Sequence, residues 1–251
     1  MGGKLIFFLA FAIAFAETDL PKSARLSSVR IVKKQGSDQS FASGTVISSE
    51  RGVAIVLTCG HISSHHSDPQ AYLRPRESFT VDYFGDGRNT PTAKYPATLI
   101  GYEREADVGL LEIRTDDSLA TSPLISSKKG VTKKEPLVSL GCDKGKSPSL
   151  EPTVVKAINK FLGPHNITCE GQPVSGRSGG GLFNLKGELV GLTNGRSESD
   201  KEGVYCGHEA INALLLKHDL GHLIPDLRAK DNGQRHHNTS TDETNLPANQ
   251  H

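Results

Sequence analysis

From residue 27 to residue 207 the chain is cut into short apolar runs, each about a strand long and each closed by glycine, proline, aspartate or serine. "SSVRIVKKQ" (27–35), "SFASGTVISS" (40–49), "GVAIVLTCGH" (52–61), "SFTVDYF" (78–84), "YPATLIGY" (95–102), "VGLLEIR" (108–114) and "EPLVSLGC" (135–142) come first. "TVVKAINKFLG" (153–163), "NITCEG" (166–171), "GLFNLKGELVGLTN" (181–194) and "EGVYCG" (202–207) follow. Val, Ile and Thr suit a pleated, half-buried surface, so these runs predict strands. Many short strands with little helix between them bury their faces in a sandwich or a barrel. One segment departs from the pattern: "HEAINALLLKHDLGHLI" (208–224) places Ile211, Leu214, Leu215 and His218 at helical spacing. At 251 residues the chain has room for one large all-β domain or two small lobes around a cleft.

The two ends differ from this body. "MGGKLIFFLAFAIAFAETDL" carries Lys4, an apolar stretch from Leu5 to Phe15, and Ala14-Phe15-Ala16 before Glu17. That is the layout of a signal peptide (1–16), cut after Ala16, with 17–26 as a lead-in. The stretch is only about half the roughly 20 residues a membrane-spanning helix needs. The expected product is secreted or periplasmic and leaves the membrane after cleavage. Beyond residue 224 the composition turns polar and cannot bury enough surface to fold, so 225–251 is expected to be a disordered tail with no further domain. A formal charge of +1 without a basic stripe gives no footprint for nucleic acid.

Export alters the reading of Cys59, Cys142, Cys169 and Cys206. An even number in an oxidising compartment favours disulfide bonds, and four cysteines permit three pairings. The residues do not choose among them, although a Cys142–Cys169 bond would close a loop around "TVVKAINKFLG". Cys59 and His61 stand close together, but no paired-cysteine spacing supports a metal site. No metal and no cofactor are expected.

The densest chemical signal is "GQPVSGRSGGGLFN" (171–184). A serine hydroxyl is a weak nucleophile unless an imidazole takes its proton and a carboxylate fixes the tautomer. The developing oxyanion then needs preorganised N–H donors, and glycine lets the backbone curl tightly enough to present them. Gly176-Arg177-Ser178-Gly179-Gly180 meets that need, with the N–H groups of Gly176 and Ser178 as oxyanion donors. Upstream, "VLTCGHI" ends an apolar run at His61, and "YEREADVGLLEI" sets Asp107 before another. Asp82 and Asp86 are the reserve carboxylates.

Histidine, aspartate, serine, in that order and each at a strand edge, resemble the trypsin-like serine peptidases, closest in motif style to the bacterial HtrA/Deg type. "SGTVI" (43–47) looks like the family's strand ahead of the histidine, and "KGELVGL" (186–192) like the strand after the serine. The resemblance spans roughly residues 27–217. It implies two six-stranded antiparallel β-barrels with a C-terminal helix, a peptidase domain at 27–224 and a lobe boundary near 115–135. It implies Ser178 as nucleophile, His61 as general base then acid, and Asp107 as the orienting carboxylate of a serine endopeptidase acting on polypeptides. Gln172, Arg177, Thr193, Asn194 and Gly195 are the implied substrate-binding residues. Arg177 stands where digestive and clotting trypsins carry an aspartate that pairs with a new N-terminus, so no zymogen switch of that type is expected. With Gln172 uncharged, a neutral, modest-sized specificity pocket is the default expectation; Arg177 at the rim, with His208 nearby, is the alternative that would favour acidic residues. Two alternatives remain: an inactive trypsin-like binding module, and an α/β-hydrolase esterase built on G-x-S-x-G, which needs a helix after the serine.

Overall fold

The computed structural model describes residues 20–63 and 77–228. The expected leader and residues 229–251 of the expected tail lie outside the described residues; residues 225–228 of that tail are ordered instead, with Leu227 packed on the core and Asp226 accepting from the hydroxyls of Ser126 and Ser127. Strands β1 (Ser28–Gln35), β2 (Asp38–Glu50), β3 (Val53–Cys59), β4 (Glu77–Tyr83), β5 (Ala93–Glu103) and β6 (Val108–Arg114) form one unit. Strands β7 (Pro136–Gly141), β8 (Ser149–Ile158), β9 (Asn166–Glu170), β10 (Gly181–Phe183), β11 (Leu189–Ser197) and β12 (Glu202–Gly207) form the other. Each set closes into an antiparallel barrel, in the order β1-β2-β3-β6-β5-β4 and β10-β11-β12-β9-β8-β7. Helix α1 (Lys22–Leu26) precedes the first barrel, and α2 (His208–Lys217) follows the second. The two-barrel fold with a C-terminal helix agrees with expectation; α1 was not expected.

Strand period explains why "VAIVLTC" is apolar almost throughout. Successive side chains leave a strand on opposite faces. Ala54 and Val56 of β3 join the core inside barrel one, while Ile55 and Leu57 join a second layer between the barrels. β6 repeats the device, with Leu111 and Ile113 inside and Val108 and Leu110 outside. Barrel two fills its interior with Leu137, Val155, Ile167, Leu182, Val190 and Tyr205. It contributes Val138, Leu140, Phe183, Leu189 and Leu192 to the shared layer. Ile211, Leu214 and Leu215 of α2 close that layer, so the helix staples one barrel to the other.

Three boundaries differ from the sequence reading. The run 181–194 is a hairpin, because Asn184 Oδ1 accepts the N–H groups of Lys186 and Glu188 and turns the chain between β10 and β11. The run 153–163 stops at Ile158, and Asn166 ties the following loop through bonds to the carbonyls of Phe161 and Pro164. The late helix ends at Lys217 rather than 224. Asp219 takes a left-handed φ of 60°, and the Leu220 N–H returns to Leu215 O at 2.8 Å, which completes a Schellman stop.

The disulfide expectation is corrected outright: all four cysteines are free and buried. Cys59 belongs to the core of barrel one, Cys169 to that of barrel two and Cys206 to the layer between them. Cys142 and Cys169 have β8 between their strands, and Gly141 faces Ser149 whereas Cys169 faces Val155, so the two are separated by roughly 20 Å along the sheet as well as across it, beyond the ~7 Å a disulfide spans.

Candidate active site

Strand register assembles the first half of the site. β3 and β6 run antiparallel with Cys59 opposite Val108. The chain just past β3 therefore lies beside the chain just ahead of β6. His61 occupies the short 3-10 turn Gly60–Ile62, and Asp107 sits at a left-handed φ of 52° before β6. Asp107 grips both the backbone and the ring of the histidine. Its Oδ1 accepts the His61 N–H at 2.7 Å, and its Oδ2 lies 2.7 Å from Nδ1. Such a grip leaves Nε2 facing away from the carboxylate, the nitrogen a general base uses.

Electrostatics follow from that contact. The Asp107 carboxylate, and after it the Cys59 side chain beside the ring, push the His61 pKa up from 6.5 to about 10, against an opposing effect of burial. The imidazole side chain is 40% exposed, so it is open to the cleft. The reserve carboxylates are occupied elsewhere. Asp82 is buried against Arg30, with Nε donating to Oδ2 at 2.8 Å, and Asp86 pairs with Arg88.

The second half comes from the turn between β9 and β10. Ser43 on β2 donates its N–H to the carbonyl of Ser178 at 2.8 Å. Gly179 has φ 81°, and a Cβ there would stand 2.6 Å from the Cys59 nitrogen and also strike Ser43 O and Thr58 Oγ1. The serine turn is thus pressed against the end of β3, two residues before His61. Ser178 is half-buried, and its hydroxyl makes no hydrogen bond among the described residues. Catalytic hydrogen bonds commonly tighten only when substrate binds. The chain continues after the turn as strand β10, which removes the esterase alternative.

The amides of the turn divide into two sets. Those of Arg177, Gly179 and Gly180 donate to Val174 O, Thr193 O and Arg177 O. Those of Gly176 and Ser178 donate to nothing among the described residues. Gly176 is held at φ 94°, where a side chain would collide with Cys142 O and Lys144 N.

The expected substrate-binding residues separate on inspection. Gly195 is open, and Asn194 anchors to Ala106 O through Nδ2 at 3.0 Å. Gln172 is tied to Ser197 O at 3.0 Å, while Tyr205 and Pro173 crowd Gly203. Thr193 is buried and spends both backbone groups on the serine turn, so its backbone is not available to pair with an extended peptide. The placement of Arg177 at the rim is corrected. Arg177 is fully buried and bonded inside barrel two, not at the rim. His208 is likewise buried, edge-on to His165 at 5.1 Å. Sequence reasoning missed Ser43 and Asp143. No spacing rule marks either, because each acts through a partner more than thirty positions away.

A family model described as a trypsin-like peptidase domain matches residues 42–192. The Do-like serine protease HtrA of Lactococcus lactis subsp. cremoris is 22% identical over 200 residues, 75% of this chain and 45% of that protein. A probable Do-like serine protease of Buchnera aphidicola is 26% identical over 195 residues, 74% of this chain and 36% of its own length. The chain therefore spans less than half of these curated relatives. Among solved structures, the active form of the Rv3671c protease of M. tuberculosis superposes with a TM-score of 0.63 at 20% identity, covering 78% of this chain and 82% of that one. A serine endoprotease from Yersinia pestis gives 0.63 at 18% identity, with 85% and 66% covered.

Proposed function

The chain belongs to the trypsin-like peptidase domain family, and on that premise we propose that it is a serine endopeptidase, exported by its leader, that cuts polypeptides with Ser178, His61 and Asp107. One observation carries the reading: a single carboxylate holds the ring and backbone of His61 at 2.7 Å while the glycine-bound Ser178 turn packs on the same strand end.

The steps follow from these groups. Ser178 Oγ attacks the scissile carbonyl carbon as its proton passes to His61 Nε2, and Asp107 stabilises the resulting imidazolium. The carbonyl oxygen, now negative, is received by the N–H groups of Gly176 and Ser178. His61 then protonates the leaving amine, the C–N bond breaks, and an acyl ester on Ser178 remains. Water, deprotonated by His61, attacks that ester, and the proton returns to Ser178 as the acid product leaves. A neutral Gln172 and a crowded Gly203 favour a small or medium uncharged side chain at the cleaved bond.

A fluorophosphonate label tests the assignment. Wild type is expected to be labelled once, at Ser178, and to digest denatured casein, while Ser178→Ala does neither. A folded wild type that resists the label, or equal digestion by the alanine variant, leaves a binding module in place of a peptidase.

A further inference from the structure

Arg177 is the largest fully buried side chain, and it carries a charge. Burying an unpaired cation is costly, so a guanidinium in this place calls for a full set of partners. Its Nη1 donates to Asp143 Oδ1 at 2.7 Å and to Ser149 Oγ at 2.8 Å. Nη2 donates to Ser139 O at 2.8 Å and to Ser149 O at 3.3 Å. Nε faces Glu151 Oε2 at 3.4 Å without a hydrogen bond. The side chain therefore crosses from the serine turn to β7, β8 and the short turn Asp143–Gly145.

That turn touches the oxyanion peptide. Lys144, at φ 50°, donates its N–H to Ser175 O at 2.7 Å. In a trans peptide the C=O and the following N–H point in opposite directions. A carbonyl of Ser175 pinned toward Lys144 sends the Gly176 N–H the other way, out of the turn and into the cleft. Two further ties hold the frame. Ser43 Oγ donates to Gly176 O at 2.7 Å and accepts the Cys142 N–H at 2.7 Å, and Arg30 Nη1 donates to Gly145 O.

We propose that Arg177 and Asp143 are positioning residues that hold the Ser175–Gly176 peptide with its N–H aimed at the oxyanion, so that the hole stands formed within the intact chain and needs no newly cut N-terminus. The inference rests on the peptidase reading and concerns a part of it that the triad does not touch. The pair reverses the polarity of an aspartate beside the serine: here the cation lies in the serine turn and the anion in the neighbouring one. The pair touches no reacting atom and acts only through Lys144 and Gly176.

The test uses the full chain with Asp143→Asn, Arg177→Lys and Arg177→Gln, measured on fluorescein-labelled casein and by fluorophosphonate labelling of Ser178. Asp143 is 31% exposed, so its asparagine variant is expected to fold, as a circular-dichroism melt would show. It is expected to lose about 10-fold or more in kcat, toward the 10²–10³ that follows loss of an oxyanion donor. KM is expected to stay within about two-fold, because substrate binding does not use the donor before attack. The His61 limb of the pH profile should not move. Arg177→Lys, which keeps the charge but not the fork of donors, should fall between wild type and Asp143→Asn. A folded Asp143→Asn with wild-type kcat overturns the inference, as does a kcat loss matched by a rise in KM or a moved pH limb. Should Arg177→Gln fail to fold, Asp143→Asn and Arg177→Lys still decide. An unlabelled, inert wild type would instead sink the peptidase reading, an outcome distinct from an active wild type beside an equally active Asp143→Asn.

Discussion

Barrel one and barrel two build their halves of the site by different means. In barrel one the pairing of Cys59 with Val108 is enough to bring His61 to Asp107, since both residues lie within two positions of that rung. In barrel two no ladder places Ser178. Its turn is set by glycines in conformations other residues avoid, by a buried cation and by Ser43 reaching across from barrel one. A site half made by register is as sturdy as the sheet. A half made by a turn depends on individual contacts, each of which a single substitution can remove.

The largest effect expected is the loss of the reacting groups themselves. Ser178→Ala and His61→Ala should each reduce kcat by on the order of 10⁶, measured on casein with matched active-protein concentrations. They strike opposite barrels, and equal losses would confirm that neither half works alone. A variant that kept measurable turnover would break the comparison at its root.

Next comes Asp107→Asn, which leaves the register intact and removes only the charge and the correct tautomer. A kcat loss of about 10⁴ is expected. The pH dependence sharpens the point. Asp107 raises the His61 pKa, so the neutral, proton-accepting ring gains population only as pH climbs, and the acid limb of kcat/KM lies above 6.5. Asp107→Asn should move that limb down. Stability runs the opposite way: a raised folded-state pKa contributes stability fully present below 6.5 and lost as pH rises through about 10. The difference in melting temperature between wild type and Asp107→Asn should therefore shrink across that window. A constant difference would show that Asp107 is not what raises the pKa of the His61 ring.

Gly179→Ala attacks the turn. With φ 81° and the Cys59 nitrogen 2.6 Å from the new Cβ, it should cost at least about 2 kcal/mol in stability. Turnover should fall while the pH limb of His61 stays in place, because the histidine–aspartate half is made elsewhere. A shifted limb would mean that the two halves are not separable.

The smallest effect concerns the thiols. Since no disulfide joins the barrels, dithiothreitol should leave the melting temperature unchanged, and alkylation of the denatured chain without reductant should add four labels. Fewer labels would reveal a covalent tie.

The order of His61, Asp107 and Ser178 and their places at strand edges were legible because each signal is local. An apolar run announces a strand, and a glycine cluster announces a tight turn. The same local reading placed Arg177 at the rim and paired the cysteines, and both expectations failed. Whether a charged side chain beside the serine faces solvent or the barrel interior depends on Ser139, Asp143 and Ser149, which are remote in the chain. The Cys142–Cys169 pairing looked attractive along the chain, yet β8 runs between the two strands. Thr193 lies on the expected substrate strand, but its backbone is consumed by Gly179 and Gly180.

By itself, then, the sequence determined the strand-rich class, the turn around Ser178 and which side chains have the chemistry for acyl transfer. These depend on steric preferences and hydrophobic spacing felt over a few residues. The tertiary structure alone decided which carboxylate meets the histidine, where the guanidinium of Arg177 goes and that the thiols stay apart. Those outcomes follow from barrel closure, which sets distances between segments that no pattern along the chain encodes.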